Sequence, residues 1–456
     1  MKKIGFIALL LTVFISCKEE TKPEYLVFEG TITNSSPSKI ILSGNDFTAE
    51  IAVKDGKVLD TLKISENGYY NLRVGRESTA VYLEKGKNVS FTVETKQFDE
   101  TISYTGTGAA PNNYLAEKYM LSENEGSFAE VFALPETEFL AEINGYNKTY
   151  LDLLNNNETL TESFKELEAK ELNYSHISNI ENYKGYYEYL SGINDFNVSN
   201  TFYDYLKDFN FSDTEAFNSS SAYKNMLQAH FGRLLSEQDD STEEYNESLA
   251  YLKTVDDNFP DGEEKEQIMF SYLRYGMKAD AGLEAVYALY KENSVETESM
   301  TIITSKYEKL KTLVRGKTSP DFTFENHAGG ETSLADLNGK YTYIDVWATW
   351  CGPCIREIPS LLKVEEAYHG KNINFVSISI DTKLDYQKWR KMVTAKELGG
   401  IQLMADNDWK SKFVTDYGIE GIPRFILLDP IGNIVTSDAP RPSSPDLIAL
   451  LDSEGI

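Results

Sequence analysis

The chain has 456 residues, which suits about three domains, and its 72 acidic and 44 basic side chains give a formal net charge of −28. Because an acidic surface is repelled by phosphate backbones, we do not expect nucleic acid as a partner. Cys17, Cys351 and Cys354 are the three cysteines, too few for a framework of structural disulfides.

Residues 1–16 are predicted to be a lipoprotein signal peptide. Lys2 and Lys3 precede an apolar run of about a dozen residues, as in a signal peptide, and the run is shorter than the roughly 20 residues that span a bilayer. It ends at Phe14-Ile15-Ser16-Cys17, which resembles the lipobox of bacterial lipoproteins except that Phe14 replaces the usual leucine. This resemblance implies cleavage before Cys17 and its lipidation. The alternative is an ordinary signal peptide with an incidental cysteine.

Residues 17–24 read as a polar tether that begins Cys17-Lys18-Glu19-Glu20. These residues are similar to the export signal of lipoproteins from Bacteroidetes. The resemblance implies a cell-envelope protein that is anchored to the lipid bilayer, and it leaves open whether the protein faces the periplasm or the outer surface of the outer membrane.

Residues 25–107 are predicted to form a small β-sandwich domain. Segments such as 25–33 and 89–95 are rich in β-branched and aromatic residues or alternate apolar with polar ones, a pattern typical of strands. Asp55-Gly56 and Asn67-Gly68 are turn signals between such segments. We find no residues for chemistry in this region.

Residues 108–315 are predicted to be a helical domain. Pro260 is the only proline between Pro135 and Pro320, which permits long helices. Apolar residues recur at helical spacing, as at Phe139, Ile143, Tyr146 and Tyr150. The many tyrosines and phenylalanines are expected to pack between helices rather than to form a ligand site.

Residues 316–456 contain all four tryptophans. Predicted strands and predicted helices alternate along this region. Strands are predicted at 341–348, 372–380, 424–428 and 434–436, and helices at 353–368, 384–396, 409–417 and 445–451. Such alternation favours an α/β sheet with helices on both faces. The predicted architecture is therefore multidomain, with an all-β, a helical and an α/β part.

The chemistry is concentrated in Cys351-Gly352-Pro353-Cys354, which follows a predicted strand and opens a predicted helix. The N–H groups and partial positive charge of a helix N-terminus favour a thiolate, so the pKa of Cys351 should fall and make it the nucleophile. Cys354, one turn inside the helix, would be the resolving thiol. Zinc requires about four ligands and the motif offers two, so we predict redox exchange without a metal or a cofactor.

Residues 316–456 resemble the TlpA/ResA-like branch of the thioredoxin superfamily. The resemblance is carried by Ser319-Pro-Asp-Phe322, Leu334-Ala-Asp-Leu-Asn-Gly-Lys340, Trp350-Cys-Gly-Pro-Cys354 and Gly421-Ile-Pro423. It implies a thioredoxin-like fold and a redox-active disulfide between Cys351 and Cys354. The β-sandwich is similar to the domain that often precedes such domains in lipoproteins of Bacteroidetes.

The same resemblance implies roles for five further residues. Asp345 matches the buried aspartate that accepts and returns the proton of the resolving cysteine, and Glu357 matches a glutamate beside the site. Two carboxylates near one thiol pair repel each other, so the pKa of one should rise. The alternative for Glu357 is a solvated acid in the first helical turn. Trp350, Ile422 and Pro423 would contact substrate, with Pro423 in a cis peptide bond.

The predicted function is a membrane-anchored thiol-disulfide oxidoreductase that reduces disulfides in exported proteins, such as apocytochromes c. Its electrons would come from a membrane thiol carrier similar to DsbD or CcdA. One alternative is an oxidase or isomerase, which differs in reduction potential. Another is a partner-binding lipoprotein in which the redox site is secondary. A peroxidase is disfavoured because Ile344 and Ala348 replace the proline and threonine of peroxiredoxins.

Overall fold

The computed structural model describes residues 24–34, 36–44, 47–193, 196–238, 245–295 and 298–456. The predicted signal peptide and Cys17 lie outside these ranges, as does almost all of the predicted tether. Within the ranges, every helix is too short or too polar to cross a membrane.

Two compact units make up the chain. One comprises residues up to 209 with 215–230, and the other comprises 210–214 with 231–456. The division falls inside the region that was predicted to be one helical domain, 108–315, and the predicted domain bounds stay a prediction. The fold class is confirmed, since a β part, a helical part and an α/β part follow one another in this order.

The β part contains two four-stranded sheets, in the orders β4-β1-β7-β8 and β3-β2-β5-β6. The strands are β1 (Leu26–Thr33), β2 (Lys39–Gly44), β3 (Phe47–Ala52), β4 (Lys57–Leu62), β5 (Gly68–Val74), β6 (Glu77–Leu83), β7 (Val89–Glu94) and β8 (Ser103–Thr105). Apolar side chains from both sheets form one buried core. The predicted sandwich therefore follows from alternation along each strand.

One of the two predicted turns forms as a turn. Asp55 and Gly56 both have positive φ, 50° and 71°, as a tight hairpin turn requires, and they lie just before β4. Asn67 instead uses its side chain to accept a hydrogen bond from the backbone N–H of Lys85 at 2.9 Å, while Gly68 begins β5. A side-chain bond to a distant segment replaces the expected local turn there.

Helices fill the middle of the chain, as predicted. They are α1 (Phe98–Thr101), α2 (Ala109–Ser122), α3 (Phe128–Phe132), α4 (Glu136–Asn156), α5 (Glu162–Ser191), α6 (Thr214–Ser219), α7 (Ser221–Ser236), α8 (Glu247–Asn258), α9 (Glu263–Gly276), α10 (Leu283–Glu292) and α11 (Glu298–Leu310). Their aromatic residues pack as expected, for example Phe139 stacked on Tyr183 with ring centroids 4.1 Å apart. Thr161 caps α5 by accepting from Phe164 N–H.

A seven-stranded mixed sheet of order β10-β9-β13-β12-β11-β14-β15 forms the C-terminal part. Its strands are β9 (Thr323–Asn326), β10 (Glu331–Ser333), β11 (Tyr341–Trp347), β12 (Ile373–Ser379), β13 (Ile401–Met404), β14 (Arg424–Leu428) and β15 (Ile434–Thr436). The four strands predicted here are confirmed. The other three contain three or four residues each, too few for a periodic pattern to reveal them.

The helices of this part are α12 (Gly352–Ala367), α13 (Tyr386–Ala395), α14 (Lys412–Tyr417) and α15 (Pro445–Ser453). Two separate hydrophobic cores lie against β11. One contains Ile344 and Val346, and the other contains Tyr343, which lies on the opposite side of the strand. Because alternate residues of a strand point to opposite faces, these two cores cover both faces of the sheet. The strand β11 lies in the middle, paired in parallel with β12 and antiparallel with β14, and it leads directly into the site.

Candidate active site

The cysteine pair lies between the end of β11 and the start of α12. Cys351 is the N-cap residue of α12 and Cys354 is its third residue. The two form a disulfide with Cα atoms 5.3 Å apart. The backbone N–H of Cys354 donates to Cys351 Sγ at 3.2 Å. After reduction, such a donor at a helix N-terminus would stabilise a Cys351 thiolate, which is the reactive form.

A buried aspartate that the sequence analysis missed holds the loop before Cys351. Asp381 follows β12 and accepts hydrogen bonds from the backbone N–H of Thr349 at 2.9 Å and from its hydroxyl at 2.7 Å. It also accepts from the Ser379 hydroxyl at 2.8 Å. These three hydrogen bonds converge on one buried side chain, so Asp381 fixes the loop that carries Trp350 and Cys351.

The segment before β14 approaches the cysteines from the other side. The Ile422–Pro423 peptide bond is cis, as the family resemblance led us to expect. The carbonyl oxygen of Ile422 lies 3.7 Å from Cys351 Sγ. Next in the chain, Arg424 pairs with Asp438 at 2.6 Å, so the charge of Arg424 is engaged in an ion pair at the strand's edge.

An exposed aromatic pair borders the disulfide. Trp350 is 48% exposed, and its ring centroid lies 6.3 Å from that of Trp409, which is also exposed. Cys351 and Cys354 are each only 4% exposed. A substrate must therefore reach sulfur at a nearly covered position, and exposed indole rings offer it an apolar contact surface. Trp409 was not among the predicted site residues, since it lies remote from the motif in sequence.

Asp345 lies on β11 and is almost fully buried, at 8% exposure. It lines a small cavity together with Ile358, which is four residues beyond Cys354 on α12 and so shares its helix face. Burial, and then the negative charges of Glu357 and Glu365, raise the pKa of Asp345 to about 8. A carboxyl group with this pKa can release and take up a proton near neutral pH.

Glu357 lies in the second turn of α12, beyond the first-turn position that the alternative interpretation assumed. Its carboxylate accepts from the backbone N–H of Ser443 at 3.0 Å and from the Ser443 hydroxyl at 2.9 Å. The group is thus held by the loop before α15. Its charge still reaches Asp345, where it raises the pKa as the residue pattern predicted.

The N-terminal unit has a separate cleft of about 560 Å³. Tyr69, Lys118, Tyr146 and Glu168 are among the residues that line it, and Glu168, fully buried, accepts hydrogen bonds from Tyr69 and Lys118. The volume is within the range of ligand pockets, about 300–1,000 Å³. The alternative in which the N-terminal region captures a partner stays a prediction.

A dithiol or disulfide at a helix N-terminus, a buried acid beneath that helix and a cis-proline loop opposite it define a thioredoxin-like domain. The profile of the Redoxin family matches residues 315–450. ResA, the thiol-disulfide oxidoreductase of Geobacillus thermodenitrificans, is 26% identical over 135 residues, which cover 29% of this chain and 74% of that protein. ResA of Bacillus subtilis is 23% identical over 136 residues, covering 30% and 73%.

Two solved structures are similar in sequence to the C-terminal part of this chain. A Bacteroides vulgatus protein, assigned provisionally as a thiol-disulfide oxidoreductase, is 48% identical and covers 29% of this chain and 86% of its own, with a TM-score of 0.28. The thioredoxin domain of a thiol-disulfide oxidoreductase from the same organism is 29% identical, covers 31% and 98%, and has a TM-score of 0.28. TM-scores of this size say nothing about the whole chain. The C-terminal domain belongs to the thiol-disulfide oxidoreductases of the thioredoxin-like superfamily.

Proposed function

We propose that this thiol-disulfide oxidoreductase works as a reductase of disulfides in exported proteins. The observation that carries the direction is a group of three acids on two neighbouring elements: Glu357 and Glu365 lie on α12, and both act on Asp345 of the strand β11. Negative charge near a dithiol opposes formation of thiolates. This favours the disulfide form of the enzyme over its thiolates and makes the dithiol the better electron donor.

In the proposed reaction, the Cys351 thiolate attacks a substrate disulfide, and one substrate sulfur leaves as a thiolate that takes up a proton. Cys354 then loses its proton to the Asp345 carboxylate and attacks Cys351 Sγ. This breaks the mixed disulfide, releases the second substrate sulfur and forms the Cys351–Cys354 disulfide. Two electrons pass from the enzyme to the substrate. Trp350, Ile422 and Pro423 contact the substrate, and Glu357 acts through its charge on Asp345.

The direction is tested by the equilibrium reduction potential of the Cys351–Cys354 pair. We expect a value near or below about −230 mV, as for reducing thioredoxin-like proteins. The measurement traps thiols after equilibration of residues 18–456 in dithiol buffers of known potential. A value near about −120 mV would instead make the domain an oxidant and reverse the proposed electron flow, in favour of the oxidase or isomerase alternative.

We also propose that Cys17 carries a lipid that anchors the protein in the cell envelope, facing the periplasm or the outer surface. The support is the pattern of charge, apolar run and cysteine at the start of the chain. An outward-facing reductase needs electrons from across the membrane. A membrane thiol carrier similar to DsbD or CcdA would supply them, and the substrates would include apocytochromes c.

Cys17→Ala should move the protein from the detergent phase to the aqueous phase when cells are extracted with a phase-separating detergent, because a lipidated cysteine is lost. Ser16→Ala, which keeps a small residue before the cysteine, should remain in the detergent phase. If the Cys17→Ala protein stayed in the detergent phase, lipidation at this cysteine would be excluded.

A further inference from the structure

We propose that Glu365 relays the proton of Asp345 between the buried interior and solvent. The proposal rests on the role of Asp345 proposed above and adds a residue that the sequence motifs did not indicate. It is carried by the position of Glu365, which lines two adjoining spaces, one internal and one open to the surface.

The internal space is a cavity of about 10 Å³ that Asp345 and Glu365 line together. A cavity of this volume is about large enough to hold one water molecule. Trp347 and Gln402 also line it, and in the described part of the chain the buried Trp347 Nε1 and Gln402 Oε1 have no hydrogen-bond partner. A water molecule in the cavity would therefore find polar partners and could connect the two carboxyl groups.

The outer space is a surface pocket of about 520 Å³, which Glu365 also lines. Asp345 does not line this pocket, and Glu365 is the acidic residue common to both spaces. A proton that leaves Asp345 through one water can thus reach Glu365, and from there the bulk solvent. In proteins, acid–base groups commonly exchange a proton through a single bridging water molecule.

Two glycines leave room for the Glu365 carboxylate. A Cβ atom at Gly399 would lie 2.1 Å from Glu365 Oε2, and one at Gly400 would lie 2.9 Å from Glu365 Oε1. Within the described residues, Glu365 has no hydrogen bond or ion pair that would hold it in a structural role. Partial burial raises the pKa of Glu365 to about 7, which suits a group that exchanges protons with solvent at neutral pH.

Other charged groups surround this path. Asp345 faces Glu365 from β11, and Glu357, on the same helix, acts on Asp345. The remaining titratable residues that line the outer pocket are Lys340, Glu366, Tyr368, His369 and Lys371. The segment 399–402, which packs against Glu365, brings no charged side chain. Glu365 is therefore the titratable group placed between the cavity of Asp345 and the open pocket.

The relay accounts for every proton in the proposed reaction. When Cys354 attacks the mixed disulfide, its proton moves to the Asp345 carboxylate. The resulting carboxyl group passes a proton through the cavity to the Glu365 carboxylate, which releases it to solvent and becomes ionised again. Both substrate thiolates, the one released in the first step and the one released by Cys354, take their protons from solvent. Asp345 is thus returned to the ionised state before the next turnover.

The test compares the pH profiles of substrate reduction, under multiple turnover, for three variants and the wild-type chain. Glu365→Gln should lower the rate about tenfold near pH 7, one order of magnitude being modest for an acid–base group. Gly399→Ala keeps the charge but displaces the carboxylate, and it should cause a similar loss. Glu366→Gln removes a neighbouring charge that does not line the inner cavity, and its profile should match that of the wild type.

Each outcome decides one part of the proposal. The relay would be overturned if Glu365→Gln and Gly399→Ala both had the pH profile of the wild type. It would also be overturned if only Glu365→Gln lost activity, because that loss would come from the charge of Glu365 rather than from the position of its carboxylate. Asp345→Asn, measured alongside, separates the two levels. If Asp345→Asn loses activity while both relay variants keep it, only the relay fails. If Asp345→Asn is also unchanged, the proposed role of Asp345 fails with it.

Discussion

Cys351→Ser should reduce disulfide exchange by at least about 1,000-fold, since removal of a nucleophile leaves only substrate binding. Cys354→Ser should also stop turnover but leave the first step intact, because the Cys351 thiolate remains at the N-terminus of α12. We therefore expect Cys354→Ser to accumulate a mixed disulfide with substrate, visible as an added mass that a dithiol removes. Cys351→Ser should accumulate none.

The chain offers a matched control in its third cysteine. Cys17→Ala retains Cys351 and Cys354, so its exchange rate in detergent solution should equal that of the wild type. A mixed disulfide in Cys351→Ser rather than in Cys354→Ser would reverse the assignment of nucleophile and resolving thiol. The assignment depends on the N–H of Cys354, which points to Cys351 Sγ, and on the carbonyl oxygen of Ile422, which lies near that same sulfur atom.

Local sequence patterns were sufficient to predict the strands and the helix at the centre of the C-terminal domain. An apolar run before the cysteines predicts the buried strand β11, and the proline of the motif fits the first turn of α12. The hairpin of β14 and β15 was predicted with its observed bounds, because Asp429-Pro430-Ile431-Gly432-Asn433 is a strong turn signal. These features depend on neighbours in sequence, which periodicity and turn chemistry can describe.

Residues that support the cysteines from elsewhere in the chain were harder to predict. Asp381 is 32 residues from Thr349, to which it is bonded, and no local rule connects the two. A signal for Glu365 was nevertheless present. One face of α12 contains residues at helical spacing, namely 354, 358, 361 and 365. The first three of these are buried. A glutamate in the fourth position breaks that apolar face, which is a reason to suspect a function.

Asp345→Asn should remove the pH dependence of the resolving step. An ionised Asp345 is the proposed base, and with a pKa of about 8 only about a tenth of it is ionised at pH 7, so the wild-type rate should rise towards pH 9. The variant has no base at any pH. We expect it to be about 10- to 100-fold slower at pH 9, with the difference shrinking as the pH falls below 7. Release of the mixed disulfide, followed by rapid acid quenching, measures this step.

The stability of the oxidised protein provides an independent check, and its sign follows from the same pKa. The folded-state pKa of Asp345, about 8, exceeds its ordinary value of 3.8, so between these pH values the folded state holds a proton that the unfolded state has lost. The stability that Asp345 contributes when protonated is therefore lost as the pH rises through this window. Asp345→Asn keeps a neutral group at every pH, so it does not lose this stability. Its free energy of unfolding, relative to that of the wild type, should therefore increase by at least about 1 kcal/mol between pH 4 and pH 9.

The exposed Asp406→Asn should show no such increase relative to the wild type. Denaturant unfolding at the two pH values measures the free energy of unfolding of each protein. If Asp345→Asn and Asp406→Asn behaved alike in this measurement, Asp345 would be ionised in the folded protein at neutral pH, and the rise of the resolving rate with pH would have to come from ionisation of the Cys354 thiol itself.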